Sequence, residues 1–586
     1  MNLPNGSEIL IESLKRQNVK VIFGVPGGVL LPLYDALYKG DLRHLLVRHE
    51  QAAAFAADGY ARATGQPGVC VGTSGPGATN LITGLASAYM DSIPVIALTG
   101  QVTTEMIGRD GFQEADTIGI SMPVTKYSFA ARSAAEIPNM ISRAFELAVT
   151  GRPGPVLVDL PKNVLVEKAE PRFPGRRLPI PPTQRCEWID KDIERAATLI
   201  LGSHRPVLYA GGGVIASDAT RELFELAEIV RIPVATTLMG LGAFPSLHPL
   251  SLGMLGMHGS YATNQSICHC DLLLAIGARF DDRATGRFRD FAPKAKKIQI
   301  DIDPSEVNKN VRVDLALVGD ARHTLRMLID VIVRLARKGE KTAYHQRERW
   351  LEQIRAWQLE CPLSYDRKAD CIKPQYLIEL ISELAEEDAI ISVDVGQHQM
   401  WAAQFYRFKK PRTWLSSSGL GSMGYGFPAA LGAQVAFPHR QVIAIVGDGG
   451  FQMTLNELAT VKEYDIPVKI VVVNNRSLGM VRQWQQMFFG RRYCDVELGR
   501  VPDFLKLAEA YGIRGSTTRH RIELRNALED LLSNREPRLL DVHIDPEENV
   551  FPIVPPSASL SEMLLDPKSR NGKTEPSNPM LDHMPG

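Results

Sequence analysis

The chain carries no excess charge, no membrane-length apolar run and no cysteine framework, and each absence removes a class of function. Lysine plus arginine balance aspartate plus glutamate at 66 each, so no long-range field gathers nucleic acid or an anionic membrane surface. No segment approaches the roughly 20 apolar residues that cross a bilayer, and the first 13 residues lack a basic region followed by an apolar run. A soluble, cytoplasmic protein is expected, with neither nucleic acid nor membrane as a partner. The seven cysteines are odd in number and scattered, which fits a reducing compartment better than a disulfide scaffold. Cys268-His269-Cys270 is their one tight cluster. No second ligand pair follows it, so it reads as structural and no zinc is expected.

What is present is ordinary globular composition, 45% apolar and 23% charged, on a chain of 586 residues. That length exceeds one hydrophobic core and predicts several domains. Apolar runs of strand length alternate with helical segments, the pattern of parallel sheets covered by helices, so the expected class is α/β. A Pro- and Arg-rich stretch, Glu170 to Thr183, reads as an extended linker, and a charged helical segment, Arg334 to Glu360, ends at Cys361-Pro362. The predicted blocks are therefore 1–170, 189–340 and 372–550. Beyond Phe551 periodicity fades, and 551–586 are expected to form a flexible tail or lid.

In the first block, strand candidates Val19-Phe23, Leu42-Val47, Val69-Gly72, Pro94-Leu98 and Pro155-Leu160 end in polar or glycine-rich residues. A parallel sheet gathers such endings on one edge, where ligands bind. In the last block Val442-Val446 runs into Gly447-Asp448-Gly449-Gly450. Thr454 and Glu457 have capping-box spacing for a following helix, and the next strand, Val468-Val473, brings Asn474-Asn475 to the same edge. A carboxylate and an amide oxygen beside a helix N-terminus suit magnesium on a diphosphate. Alone, Gly-Asp-Gly is most simply a turn and Asn-Asn a strand-ending loop.

Gly447-Asp448-Gly449 followed after 24 residues by Asn474-Asn475 resembles the diphosphate motif of thiamine diphosphate enzymes. Three longer runs resemble acetohydroxyacid synthase (acetolactate synthase) large catalytic subunits: Phe23-Gly24-Val25-Pro26-Gly27-Gly28, the nine residues from Gly72 to Asn80, and the twelve from Gly151 to Lys162. The resemblance covers the chain up to the tail. It implies three doubly wound parallel-sheet domains, for the pyrimidine, a flavin and the diphosphate in that order. It also implies Asp448 and Asn475 as side-chain magnesium ligands, with the backbone carbonyl of Ser477 as a third. Gly447, Gly449 and Gly450 would lie at the diphosphate, and Val395, Gly396, Gln397, His398, Gly421, Met423 and Met480 would hold thiamine, with Met423 propping its bent form.

The same resemblance makes Glu50 the carboxyl group that activates the aminopyrimidine, and Gln101 and Lys162 further catalytic positions. Read alone, Glu50 complements the first turn of an Ala-rich helix, and glyoxylate carboligase, a relative with an apolar residue there, is disfavoured by it. Gly28, Arg283, Met480 and Trp484 fall at substrate positions, Arg283 toward the acceptor carboxylate. Without the resemblance Arg283 is an ion-pair partner of Asp281 or Asp282, and Trp484 a core aromatic. For flavin adenine dinucleotide, which is structural in that family, the matching positions are Arg152, Gly211, Gly212, Gly213, Thr237, Leu238, Met254, Gly277, Ala278, Arg279, Asp281, Arg283, Asp301, Ile302 and Asp320.

The implied reaction is decarboxylation of pyruvate on thiamine diphosphate with Mg2+, then transfer of the hydroxyethyl group to pyruvate or 2-oxobutyrate, in branched-chain amino-acid biosynthesis. A homodimer or homotetramer with a small regulatory subunit would be the assembly. A flavin-dependent pyruvate oxidase and a non-catalytic cofactor-binding homologue are the competing readings.

Overall fold

The computed structural model describes residues 3–174, 187–337, 344–500 and 502–567. Within them the chain builds three six-stranded sheets. The first holds β1 (Val21–Gly24), β2 (Arg43–Leu46), β3 (Gly68–Gly72), β4 (Val95–Gln101), β5 (Tyr127–Ala130) and β6 (Val156–Pro161), ordered β2-β1-β3-β4-β6-β5. The middle one holds β7 (Pro206–Ala210), β8 (Val234–Thr236), β9 (Ser251–Met254), β10 (Leu272–Ile276), β11 (Lys296–Asp301) and β12 (Leu315–Val318), ordered β12-β11-β10-β7-β8-β9. The third holds β13 (Ile390–Val393), β14 (Trp414–Leu415), β15 (Val442–Gly447), β16 (Lys469–Asn474), β17 (Arg514–Thr518) and β18 (Arg538–His543), ordered β14-β13-β15-β16-β18-β17. Every pairing is parallel. Both faces of such sheets are covered by helices, which is why the central strands β4, β10 and β16 are buried at every residue.

First and third domains share a core through the helices Glu50–Thr64 and Gly426–Ala436. A Cβ at Gly59 would lie 2.1 Å from the Ala429 carbonyl oxygen, and one at Gly432 would lie 1.9 Å from that of Ala56. The alanine- and glycine-rich composition of both helices is thus what lets their backbones approach so closely. Arg48 and Leu46, at the end of β2, donate backbone N–H groups to Glu457 and to the Tyr464 hydroxyl of the third domain.

Three expectations change. Thr454 does not cap a helix: its hydroxyl donates to the Gly424 carbonyl (3.2 Å), and Glu457 accepts from Arg48 across the domain boundary (2.9 Å). The tail is not free from Phe551 onward. Ile553, Val554, Ala558 and Leu560 are buried, Val554 N–H donates to Met257 O and Arg287 N–H to Ala558 O, so this stretch docks on the middle domain. The segment Arg334 to Glu360 spans two helices, Ala321–Arg337 and Tyr344–Glu360. Residues 175–183 of the first linker and 568–586 of the tail lie outside the described residues. No helix among the described residues is long and apolar enough to cross a membrane.

Candidate active site

In the third domain β13, β15 and β16 are neighbours, and their carboxyl ends deliver Val395 to Gln397, Asp448 and Asn475 to one edge. Asp448 is 2% exposed and its Oδ2 has no hydrogen-bond partner. Burial pushes its carboxyl group up to about 7, so ionising it here calls for a nearby cation. Asn475 Nδ2 donates to Gln397 Oε1 (3.3 Å), and its Oδ1 accepts from Ser477 N–H (3.1 Å). His398 is buried and neutral, its imidazole pushed down to about 4 by burial, with Nε2 unpartnered. Cβ atoms at Gly396 or Gly447 would each stand 2.9 Å from its ring, so both glycines make room for it. Among the described residues no group of three His, Cys, Asp or Glu is placed to hold a metal. A cation at Asp448 would therefore lean on amide, carbonyl and ligand oxygens, as magnesium on a diphosphate does.

At the first sheet's edge Glu50 opens the Glu50–Thr64 helix and is 9% exposed. Asn80 Nδ2 donates to its Oε2 at 3.0 Å, and a Cβ at Gly77 would come within 3.3 Å of Oε1. Asn80 holds the carboxylate, a role its place in a glycine-rich run did not reveal. Gly28 and Lys162 are exposed at the same edge, after β1 and β6. Gln101, expected among the catalytic positions, is held firmly by its own domain. Its Nε2 donates to Asp159 Oδ2 (3.1 Å) and Ala115 O (2.9 Å), and its Oε1 accepts from Val102 N–H (2.9 Å). The segment it anchors presents Phe112, 89% exposed, an aromatic that no periodicity marked out.

In the middle domain β7 and β10 run into Gly211 and Gly277 and the adjacent β11 ends in Asp301, the arrangement that serves a dinucleotide. Gly211 is a packing glycine, since a Cβ there would meet Gly277 O at 2.1 Å; Gly212 and Gly213 line the cavity alongside. Arg152 from the first domain closes this end, donating to Glu306 (2.7 Å) and to Ser92 Oγ (2.8 Å). Burial pushes Asp301 up to about 6. Phe280, buried at φ 54, bends the Arg279-Phe280-Asp281 turn, a strained conformation for an aromatic residue.

One cavity of about 970 Å³ joins these features. Its middle-domain end is lined by Arg152, Thr237, Leu238, Met254, Ala278, Arg279, Asp281, Asp301, Ile302 and Asp320, and its other end by Val395, His398, Gly421, Met423, Asp448, Gly450, Asn475, Ser477 and Met480. Arg283 and Trp484 meet between the ends, the guanidinium 5.7 Å from the indole centre. Arg283 is 60% exposed, with its Asp282 contact as long as 3.9 Å, so the expected ion pair leaves it available. Gly28, Glu50, Gln101 and Lys162 do not line this cavity.

Three thiamine pyrophosphate enzyme family models match: the N-terminal TPP-binding domain over 4–120, the central domain over 193–328 and the C-terminal TPP-binding domain over 394–542. The chain is 51% identical to the probable acetolactate synthase large subunit of Methanocaldococcus jannaschii, over 95% of each chain. It is 46% identical to the acetolactate synthase isozyme 2 large subunit of Escherichia coli (96% of this chain, 99% of the relative). Identity to an acetolactate synthase of Mycobacterium bovis is 47%, over 95% of this chain and 91% of the relative. The chain belongs to the acetolactate synthase large-subunit family.

Membership makes it a thiamine diphosphate-dependent enzyme, and the Asp448 edge fits that cofactor's metal-bound diphosphate. Two buried carboxylates outside the expected set tie this acetolactate synthase site together. Asp394 accepts from Val395 N–H (2.7 Å) and Gly424 N–H (2.8 Å), so one carboxylate fixes both the segment at Val395 and the one that follows Met423. Asp91 does comparable work from the first domain, on Ser418 and Gly419. Neither was legible beforehand, because each acts on backbone groups brought close only by folding.

Proposed function

We infer that this chain is the catalytic subunit of an acetolactate synthase, decarboxylating pyruvate and joining the two-carbon fragment to a second 2-oxo acid. The observation that carries this is the continuity of one cavity from the Asp448–Asn475 edge to Met480, Trp484 and Arg283. In this reading Asp448, Asn475 and the Ser477 carbonyl hold Mg2+, and the middle-domain end holds FAD. Thiamine diphosphate, when bound, supplies the carbanion-stabilising chemistry. Arg283 receives the acceptor carboxylate by charge-assisted hydrogen bonds, while Met480 and Trp484 border its alkyl group. One methylene in such space is worth about 1–3 kcal/mol, so the choice between pyruvate and 2-oxobutyrate is a preference.

Glu50, steadied by Asn80, exchanges the proton that activates the aminopyrimidine. Since Glu50 lies off this chain's own cavity, the reading requires a homodimer or homotetramer in which a second copy supplies it, with Lys162 and Gly28 alongside. Exposed Met106, Ile107, Phe112 and Met122 on the first domain give that copy an apolar surface to cover. The relatives are named large subunits, and a small regulatory subunit belongs to the reading. The test is product analysis with pyruvate and 2-oxobutyrate supplied together. Acetolactate and acetohydroxybutyrate are expected; acetate with reduced flavin would replace this reading by a pyruvate oxidase.

A further inference from the structure

The last turn of the helix Pro76–Asp91 stands where all three domains meet. Asp91 sends Oδ2 to Arg62 Nη2 (2.8 Å) and to Ser418 N–H (2.9 Å), and Oδ1 to Gly419 N–H (2.7 Å). Arg62 also donates Nε to Asp58 Oδ1 (2.6 Å), an oxygen that accepts the Tyr425 hydroxyl at 2.5 Å. The side chains of Asp58 and Asp91 are 0% exposed and that of Arg62 is 5% exposed. One guanidinium therefore serves two buried carboxylates, and the remaining negative charge depends on the Ser418 and Gly419 amides and the Tyr425 hydroxyl. Those backbone groups cannot move away without stranding a buried charge. They lead within a few residues to Gly421 and Met423, at the thiamine end of the cavity.

The same turn faces the flavin end. Ser92 receives Arg152 Nε at 2.8 Å, Arg62 Nη1 lies 3.1 Å from Met239 Sδ beside Thr237 and Leu238, and Arg279 packs 3.1 Å from the Cβ position of Gly419. Arg62, Asp91, Ser92 and Met239 all line the cavity. We propose that Asp91, acting through Arg62, is a positioning residue that couples occupancy of the middle-domain end to the thiamine-holding segment Ser416 to Met423. It rests on the reading of the two ends as FAD and thiamine diphosphate sites. Order imposed at either end is then felt at the other, and linkage requires the effect to be reciprocal.

The test is a binding cycle on the full-length chain: thiamine diphosphate affinity, with Mg2+, with and without saturating FAD, and FAD affinity with and without thiamine diphosphate. Wild type should show mutual tightening of about 5-fold or more, by the same factor in both directions. Asp91→Asn is isosteric but sets an amide N–H against Arg62 and Ser418 or against Gly419. It should bring that factor close to one, with thiamine diphosphate alone bound more weakly than by wild type because the Ser418–Gly419 turn loses one of its acceptors. Tyr425→Phe, which removes only the hydroxyl on Asp58, should lower the factor part-way and serves if Asp91→Asn fails to fold. Coupling retained in both variants overturns the proposal, as does wild type that binds both ligands without mutual effect. Wild type that binds no FAD overturns the flavin reading and the proposal together.

Discussion

Asn80→Ala removes the one side-chain donor that holds Glu50 among the described residues. Nδ2 of Asn80 lies 3.0 Å from Oε2, and Glu50 is 9% exposed, so little water reaches in to replace it. A hydrogen bond to a charged group contributes about 1.5–3 kcal/mol, which corresponds to roughly 10- to 150-fold in a step that needs Glu50 in place. Because Oε1 stays where Gly77 leaves it room, the lower part of that range is expected, about 10- to 30-fold. The assay is deuterium exchange at the reacting carbon of bound thiamine diphosphate, followed by rapid quench, alongside cofactor affinity. Slower exchange with affinity changed less than about threefold is the expected result. Exchange at the wild-type rate would refute the argument that Asn80 positions Glu50.

Further outcomes follow from other residues. Glu50→Gln and Asp448→Ala should each be nearly inactive alone, and mixing them with subunit exchange should restore up to about a quarter of wild-type activity, the statistical yield of one intact site in each mixed dimer; no recovery would place both residues in the same chain's site. Arg347 is wholly buried and donates to the Ser203, Val230 and Ile200 carbonyls at the ends of two middle-domain helices, so Arg347→Met should destabilise that domain by about 3 kcal/mol or more, read as a shift in its denaturation midpoint. Burial raises Glu457 to about 7, above an unfolded value of about 4.3. The folded state therefore binds that proton more tightly, and stability is lost as pH rises between those values at up to about 1.4 kcal/mol per unit. Glu457→Gln, which keeps an acceptor for Arg48, should flatten that part of the stability profile; an unchanged slope would show that Glu457 does not set it.

The strands that reach the site were legible because each is buried on both faces and reads as a largely apolar run. Val442-Val446 and Val468-Val473 coincide with β15 and β16 to within a residue at each end. Edge strand β5, Tyr127–Ala130, has no buried residue and so no run to find. Asp448 and Asn475 could be paired from sequence because consecutive parallel strands put their carboxyl ends together. The tail segment from Phe551 was misread because its few apolar residues are anchored by partners hundreds of positions away, such as Met257 for Val554. Asn80, Asp91 and Asp394 escaped for the same reason: a short polar side chain shows its partner only after folding. Gln101 shows what a motif match leaves out: its Nε2 and Oε1 are tied to Ala115, Asp159 and Val102 of its own domain, contacts that only folding reveals.

The most direct test of the central claim is the stoichiometry of pyruvate turnover by the protein loaded with thiamine diphosphate, Mg2+ and FAD. Carboligation predicts two pyruvates consumed for each carbon dioxide and each acetolactate formed, with the flavin spectrum staying oxidised throughout. One pyruvate per carbon dioxide, with acetate formed and flavin bleaching that oxygen reverses, would contradict it.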